Sequence, residues 1–172
     1  MRVLVAVASR HGSTREIGEE IAAVLAGEGH DVDVRDPDEV STLEPYGAVV
    51  LGSAVYVGRW VVSARAMVDR LASGLATRPV WLFSSGPVGT VPAPAGDPDE
   101  VPSLLTRLGA RGHRTFPGKL DKSALALAER AVVALLQAEH GDFRCWSDIR
   151  DWARAIAYEL EREGAPRVRL VR

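Results

Sequence analysis

The chain has 172 residues, 47% hydrophobic and 26% charged, which describes one ordinary globular domain with room for a sizeable core and none for a second. A net charge of −2 from 21 basic and 23 acidic residues excludes a general nucleic-acid binder. The single cysteine, Cys145, excludes a disulfide scaffold and any multi-cysteine metal site.

Residues 3–8 (VLVAVA) are an apolar, β-branched run that suits a strand buried on both faces, and the polar, glycine-containing SRHGST follows at once. From Thr14 the period changes: Ile17, Ile21, Val24 and Leu25 make one apolar face of a helix expected to end near Gly27 or Gly29. Val32 and Val34 alternate with charged residues in a short strand. Buried strands are expected at residues 48–53 (AVVLGS) and 80–84 (VWLFS), with Ala64, Met67, Val68 and Leu71 as a helical stripe between them. Residues 86–102 carry five prolines and three glycines and are expected to form a long loop. A short helix at 103–108, a weak strand at 112–117, a helix over 120–138 and a final helix marked by Trp146, Ile149, Ala153, Ile156 and Leu160 complete the chain. Strands written as continuous apolar runs and alternating with helices predict a parallel sheet covered on both faces, the doubly wound α/β class.

Ligands of such folds bind at the carboxyl ends of the strands, and three small, polar, glycine-bearing loops are expected there. The first, Ser9, Arg10, His11, Gly12, Ser13 and Thr14, joins a buried strand to a helix N-terminus. Free backbone N–H groups and the helix dipole favour an anion there, and the hydroxyls add donors. It is neither a Walker A loop nor a G-x-G-x-x-G loop. The same residues also suit a plain capped helix, with Ser13 or Thr14 as N-cap and Glu16 supporting the box. The second loop, Ser53, Ala54, Val55, Tyr56, Val57 and Gly58, is followed by Arg59 and Trp60. Tyr56 and Trp60 either cover an aromatic ligand or fill the edge of the core. The third, Ser84, Ser85, Gly86, Pro87, Val88 and Gly89, offers backbone donors and little bulk, or is simply a turn.

With these residues in view, SRHGST resembles the phosphate-binding loop of flavodoxin-like proteins, Thr/Ser-x-Thr-Gly-x-Thr: Ser9, Gly12 and Thr14 match, and His11 departs from the usual hydroxyl. The stretches VVLGSAVYVGRWVVSARAMVDR and FRCWSDIRDWARAIAYEL are similar to the menaquinone-dependent protoporphyrinogen dehydrogenase branch of that group, in which a non-hydroxyl residue at the position of His11 is tolerated. The resemblance implies a three-layer α/β/α sandwich with a five-stranded parallel sheet in the order 2-1-3-4-5. It implies FMN held by its phosphate on residues 9–14, with the isoalloxazine between residues 53–58, including Tyr56, and residues 84–89. The redox chemistry is then the flavin's.

The resemblance implies an FMN-dependent oxidoreductase passing electrons from a porphyrinogen to a quinone, with an electron carrier that docks on redox partners as the alternative; His11 and the shortened middle leave open a third role, a binding or regulatory module that kept the fold and lost its flavin. The resemblance also implies an insertion at about 118–144 with a function near the membrane. The apolar helix expected at 123–138 is sixteen residues long, short of the roughly twenty needed to span a bilayer, and suits either a cover for the sheet or a quinone, membrane or partner surface. With no secretory signal legible, a cytoplasmic protein is expected, with peripheral contact at the inner face of the membrane as the further implication.

Acid–base chemistry finds little support. His30 and His113 are expected ahead of strands at the edge opposite the site, and His140 in a loop, each solvated or capping. Cys145 beside Trp146 is expected to be a buried apolar filler. A phospho-receiver domain shares the strand order but needs acids after the first and third strands, where this chain has Ser9 and Ser53.

Overall fold

The computed structural model describes residues 1–56, 58–86, 98–120 and 141–164. The apolar run at the N-terminus is strand β1 (Arg2–Ala8), its six residues after Arg2 all buried. Helix α1 (Ser13–Gly27) follows and buries Ile17, Gly18, Ile21, Ala22 and Leu25. Gly18 sits where helix meets sheet: a Cβ there would lie 2.3 Å from the Val7 side chain. Strand β2 (Asp31–Arg35) pairs with β1 at the edge, so its valines are only half-buried. The connection to β3 (Ala48–Tyr56) contains a single 3-10 turn, Pro37–Glu39, capped by the Asp36 carboxylate accepting from the Asp38 N–H at 3.0 Å. Val40 and Leu43 fill the layer there.

Strand β3 runs to Tyr56 because it gains a second partner: Val55 and Tyr56 pair antiparallel with β4 (Arg59–Trp60), turning through Gly58 at φ +73°. Helix α2 (Val62–Leu75) buries Ala64, Met67 and Val68, as its stripe predicts. Leu71 leaves helical geometry (φ −116°, ψ 16°) and is half-buried. Strand β5 (Val80–Ser85) is fully buried. Helix α3 (Val101–Leu108) begins two residues earlier than expected, with Pro102 in its first turn where a missing N–H costs nothing. Of the segment anticipated as a loop, residues 101–102 belong to this helix and residues 87–97 lie outside the described residues. Strand β6 (Gly112–Phe116) completes the sheet.

The five long strands lie in the order β2-β1-β3-β5-β6, every neighbouring pair parallel, which is the predicted 2-1-3-4-5 order once the short hairpin strand β4 is set aside. Beyond β6, β7 (Lys119–Leu120) and β8 (Gly141–Asp142) form an antiparallel ribbon at the base of segment 121–140. Leu120 is thus in a strand and not in the helix expected from that position; the rest of that helix lies outside the described residues, as does His140. Helix α4 (Trp146–Gly164) closes the domain, burying Ile149, Ala153, Ile156 and Leu160 as its spacing requires.

Side-chain alternation along the strands divides the core into two layers. Val3, Val5, Val7, Val50, Trp81 and Phe83 meet α1 and α4, and Leu4, Ala6, Ala8, Val49, Leu51 and Leu82 meet α2 and α3. Helices α1 and α2 therefore leave neighbouring strands β1 and β3 toward opposite faces. That divergence opens a crevice at the carboxyl ends of the two strands, where open α/β sheets bind ligands.

His30 differs from expectation. Its ring nitrogens are buried without a hydrogen-bond partner, and burial, helped by the N-terminal amine, lowers its pKa against the opposing pull of Glu161 and Glu28. The unfolded chain then takes up a proton near pH 6.5 that the folded chain resists, so stability is expected to fall as pH drops below about 6.5. Chemical denaturation at stepped pH checks this: His30→Leu should flatten the loss between roughly pH 7 and 5, and an unchanged slope would assign it to other groups.

Candidate functional site

The crevice is built from the ends of three strands held level by the ladder, with Ala8 opposite Ser53, Ser53 opposite Ser84 and Ala54 opposite Ser85. From β1 the chain turns into α1 through Gly12, which is the N-cap residue and left-handed (φ 85°, ψ −23°) with open space around its Cα. No side chain caps this helix. The capping box expected from Ser13, Thr14 and Glu16 does not form, because Gly12 takes the cap position and places both hydroxyl residues inside the first turn. Ser9 serves the turn instead, its hydroxyl accepting from the Gly12 N–H at 3.1 Å. The first turn of α1 thus presents its N–H groups and the positive end of the helix dipole to the crevice with no side-chain cap upon them.

Ser53 and Ser84 lie at the predicted strand ends, but their hydroxyls face the α2/α3 layer. Ser53 Oγ accepts from the Val61 N–H at 2.9 Å and donates to the Ala54 carbonyl at 2.8 Å. Ser84 Oγ accepts from the Trp60 indole N–H at 2.8 Å and lies 2.8 Å from His113 Nε2. Both serines are fully buried, and Ala54 and Ser85 are nearly so. What the second and third segments offer a ligand is therefore their backbone, Tyr56 and the turns at Gly58 and Gly86. Val57, Pro87, Val88 and Gly89 lie outside the described residues.

Of the two aromatics named from sequence, Trp60 is core: it is 2% exposed, its indole holds Ser84, and its backbone N–H donates to the Glu100 carboxylate. Tyr56 is at the mouth. The Arg10 guanidinium lies 4.7 Å from its ring centroid, and the His11 ring meets it edge-on at 6.5 Å. His11, the departure from the hydroxyl pattern, thus turns toward Tyr56. His113 is inside β6 and not ahead of it. The parallel register places it beside Leu82, on the same face as Ser84, so its ring reaches the Ser84 hydroxyl. Ser84 Oγ thus joins the Trp60 indole to the His113 ring, the donor in the second contact being set by the imidazole tautomer. Cys145 is half-exposed with its sulfur 3.1 Å from Ser147 Oγ, so it is not the buried filler expected.

One residue had no local signal in the sequence. Arg144, just past β8, reaches back to α1, where Nη1 donates to the Ser13 carbonyl at 3.1 Å and to Glu16 Oε2 at 2.8 Å. Its Nε and Nη2 bind the two Asp142 oxygens at 2.8 and 2.6 Å, and Trp146 stacks on it with a centroid distance of 4.5 Å. These bonds raise the Arg144 pKa and hold the Asp142 carboxyl below the usual range. Among the described residues there is no His, Cys, Asp and Glu cluster suited to a metal, and no helix is long and apolar enough to cross a membrane.

Residues 4–145 match the family model described as "Flavodoxin domain". The chain belongs to the flavodoxin domain family. Solved structures share the fold: a flavodoxin from the domain Archaea has a TM-score of 0.65 at 16% identity, covering 94% of this chain and 99% of that one. Oxidised flavodoxin 1 from Bacillus cereus has a TM-score of 0.63 at 16% identity, with 92% and 98% covered. Rubredoxin oxygen:oxidoreductase from Desulfovibrio gigas has a TM-score of 0.65 at 15% identity, and the match covers 96% of this chain and 37% of that longer one. No curated protein matches the chain. In this flavodoxin domain the strand-end crevice, the left-handed Gly12 and the uncapped α1 lie together at one edge.

Proposed function

We propose that this flavodoxin domain binds FMN at the carboxyl edge of β1, β3 and β5 and works as a redox protein. The observation that carries the proposal is the N-terminus of α1, uncapped by any side chain and entered through Gly12 at φ 85°. A phosphate placed there receives first-turn N–H groups, the dipole and the hydroxyls of Ser13 and Thr14, with Ser9 shaping the turn and no lysine required. The ring system takes the space beside Tyr56 and Gly86, where Arg10 and His11 now cover the tyrosine. When bound, FMN supplies electron transfer, while the protein orients it and sets its potential through backbone donors and local charge.

Two roles for the bound flavin are separable. The resemblance in the stretches at 49–70 and 143–160 supports a dehydrogenase acting on protoporphyrinogen with a quinone as acceptor. Exposed Arg10 and Arg59, the latter paired with Tyr56 across the β3/β4 hairpin, suit a donor bearing carboxylates. The second role, an electron carrier docking on redox proteins, is supported by flavodoxins whose structures span nearly the whole chain. The purified protein is expected to be yellow and to release FMN on denaturation. A colourless protein that takes up no added FMN would sink both roles and leave a flavin-free module. The FMN-loaded protein is then assayed anaerobically for protoporphyrinogen oxidation with a menaquinone analogue. Turnover identifies the dehydrogenase; its absence, with rapid electron exchange with a redox protein, identifies the carrier.

A further inference from the structure

We infer that Arg144 is a positioning residue for the anion site: it holds the Glu16 carboxylate away from the N-terminus of α1, so that affinity for a phosphate-bearing ligand depends on it. The inference rests on the FMN reading above and deepens it. Glu16 stands in the first turn of a helix that has no side-chain cap. A free carboxylate there is drawn to the same N–H groups and the same positive dipole end that a phosphate needs, and it repels the phosphate as well. Glu16 is instead bound by Arg144 Nη1 at 2.8 Å.

Arg144 suits restraint and not ligand binding. Its side chain is 2% exposed, and all three of its guanidinium nitrogens are engaged, two on Asp142 and the third on Glu16 and the Ser13 carbonyl. The stack on Trp146 fixes the plane of the group. Its charge is shared between two carboxylates, so removing it leaves the Glu16 carboxylate in the first turn of α1 without its partner. Asp142 lies opposite Lys119 in the ribbon β7–β8, so the contact also ties the first turn of α1 to that ribbon.

The test is titration of the full chain with FMN and with riboflavin, which lacks the phosphate, alongside thermal unfolding of each variant. Arg144→Gln is expected to weaken FMN about tenfold while riboflavin changes by less than about twofold, and adding Glu16→Gln should bring FMN back to within about threefold of the unsubstituted chain. Equal losses for both flavins, or a double variant no better than the single, would overturn the inference by showing a merely structural brace. Should Arg144→Gln fail to fold, Arg144→Lys, whose ammonium cannot bridge Asp142, the Ser13 carbonyl and Glu16 at once, takes its place: FMN weakened more than riboflavin and recovered by adding Glu16→Gln supports the restraint, and equal losses or no recovery overturn it. An unsubstituted chain that binds FMN no better than riboflavin overturns the phosphate-site reading itself, a result visible before any variant is made.

Discussion

Phe83→Ala is expected to lower the unfolding free energy by about 3–5 kcal/mol, the largest loss from any single substitution considered, because it empties the centre of one core layer. Phe83 is fully buried in β5, and its ring is 6.1 Å from that of Phe116 and 6.2 Å from that of Trp152, which itself lies edge-on to Phe116 at 5.6 Å. The strand opposite leaves room for this ring by carrying Gly52 in register with Phe83. A Cβ on Gly52 would fall 2.0 Å from the ring, so the ring, which packs on Phe116 and Trp152, would have to shift. Gly52→Ala is therefore expected to destabilise by about 1–3 kcal/mol through overpacking. Combining it with Phe83→Ala should cost less than the sum, since the second change removes the ring that the first one strikes. Urea denaturation of the three variants reads this directly, and strict additivity would show that the two positions do not share one space.

Removing the two hydroxyls of the first loop should act on binding and hardly on folding. Ser9→Ala with Thr14→Ala is expected to weaken FMN by about 1–3 kcal/mol, roughly five- to 150-fold in Kd, as for lost hydrogen bonds to a charged group. Ser9 contributes by two routes: it offers an oxygen at the strand end, and it accepts from the Gly12 N–H that sets the left-handed turn. Thr14 lies buried in the first turn of α1, where its side chain is already ordered before a ligand arrives. Because neither hydroxyl caps the helix, the unfolding midpoint of the ligand-free chain should move little. Isothermal titration with FMN measures the first effect and thermal unfolding the second. An FMN affinity equal to that of the unsubstituted chain would reduce the loop to a helix start.

The scale of the site was legible from sequence, and its wiring was not. Ser9, Gly12 and Thr14 stand between an apolar run and a periodic helix, so their position at a strand end followed from local pattern alone. The same pattern misassigned the cap to Ser13 or Thr14, since a left-handed Gly12 shifts the helix start without leaving a signal in composition. Ser53 and Ser84 were expected to open loops, yet β3 continues to Tyr56 and β5 to Ser85, and no local pattern showed which face their hydroxyls take. Only the packing of Trp60, Val61 and His113 turns their hydroxyls inward. The weak strand expected at 112–117 is β6, and only its parallel register with β5 sets the His113 ring beside Ser84.

The sequence by itself determined the class of the fold, the order of its elements and the three segments that meet at one edge, because those depend on hydrophobic period and on small residues at strand ends, which are local properties. Tertiary structure alone decided which polar atoms remain for a ligand. Arg144 meets the Ser13 carbonyl across 131 positions and Glu16 across 128, and an ion pair between residues so far apart exists only after sheet and helices have brought them together. A short side chain's hydroxyl likewise has no preferred partner until burial removes water and makes an unpaired polar atom costly.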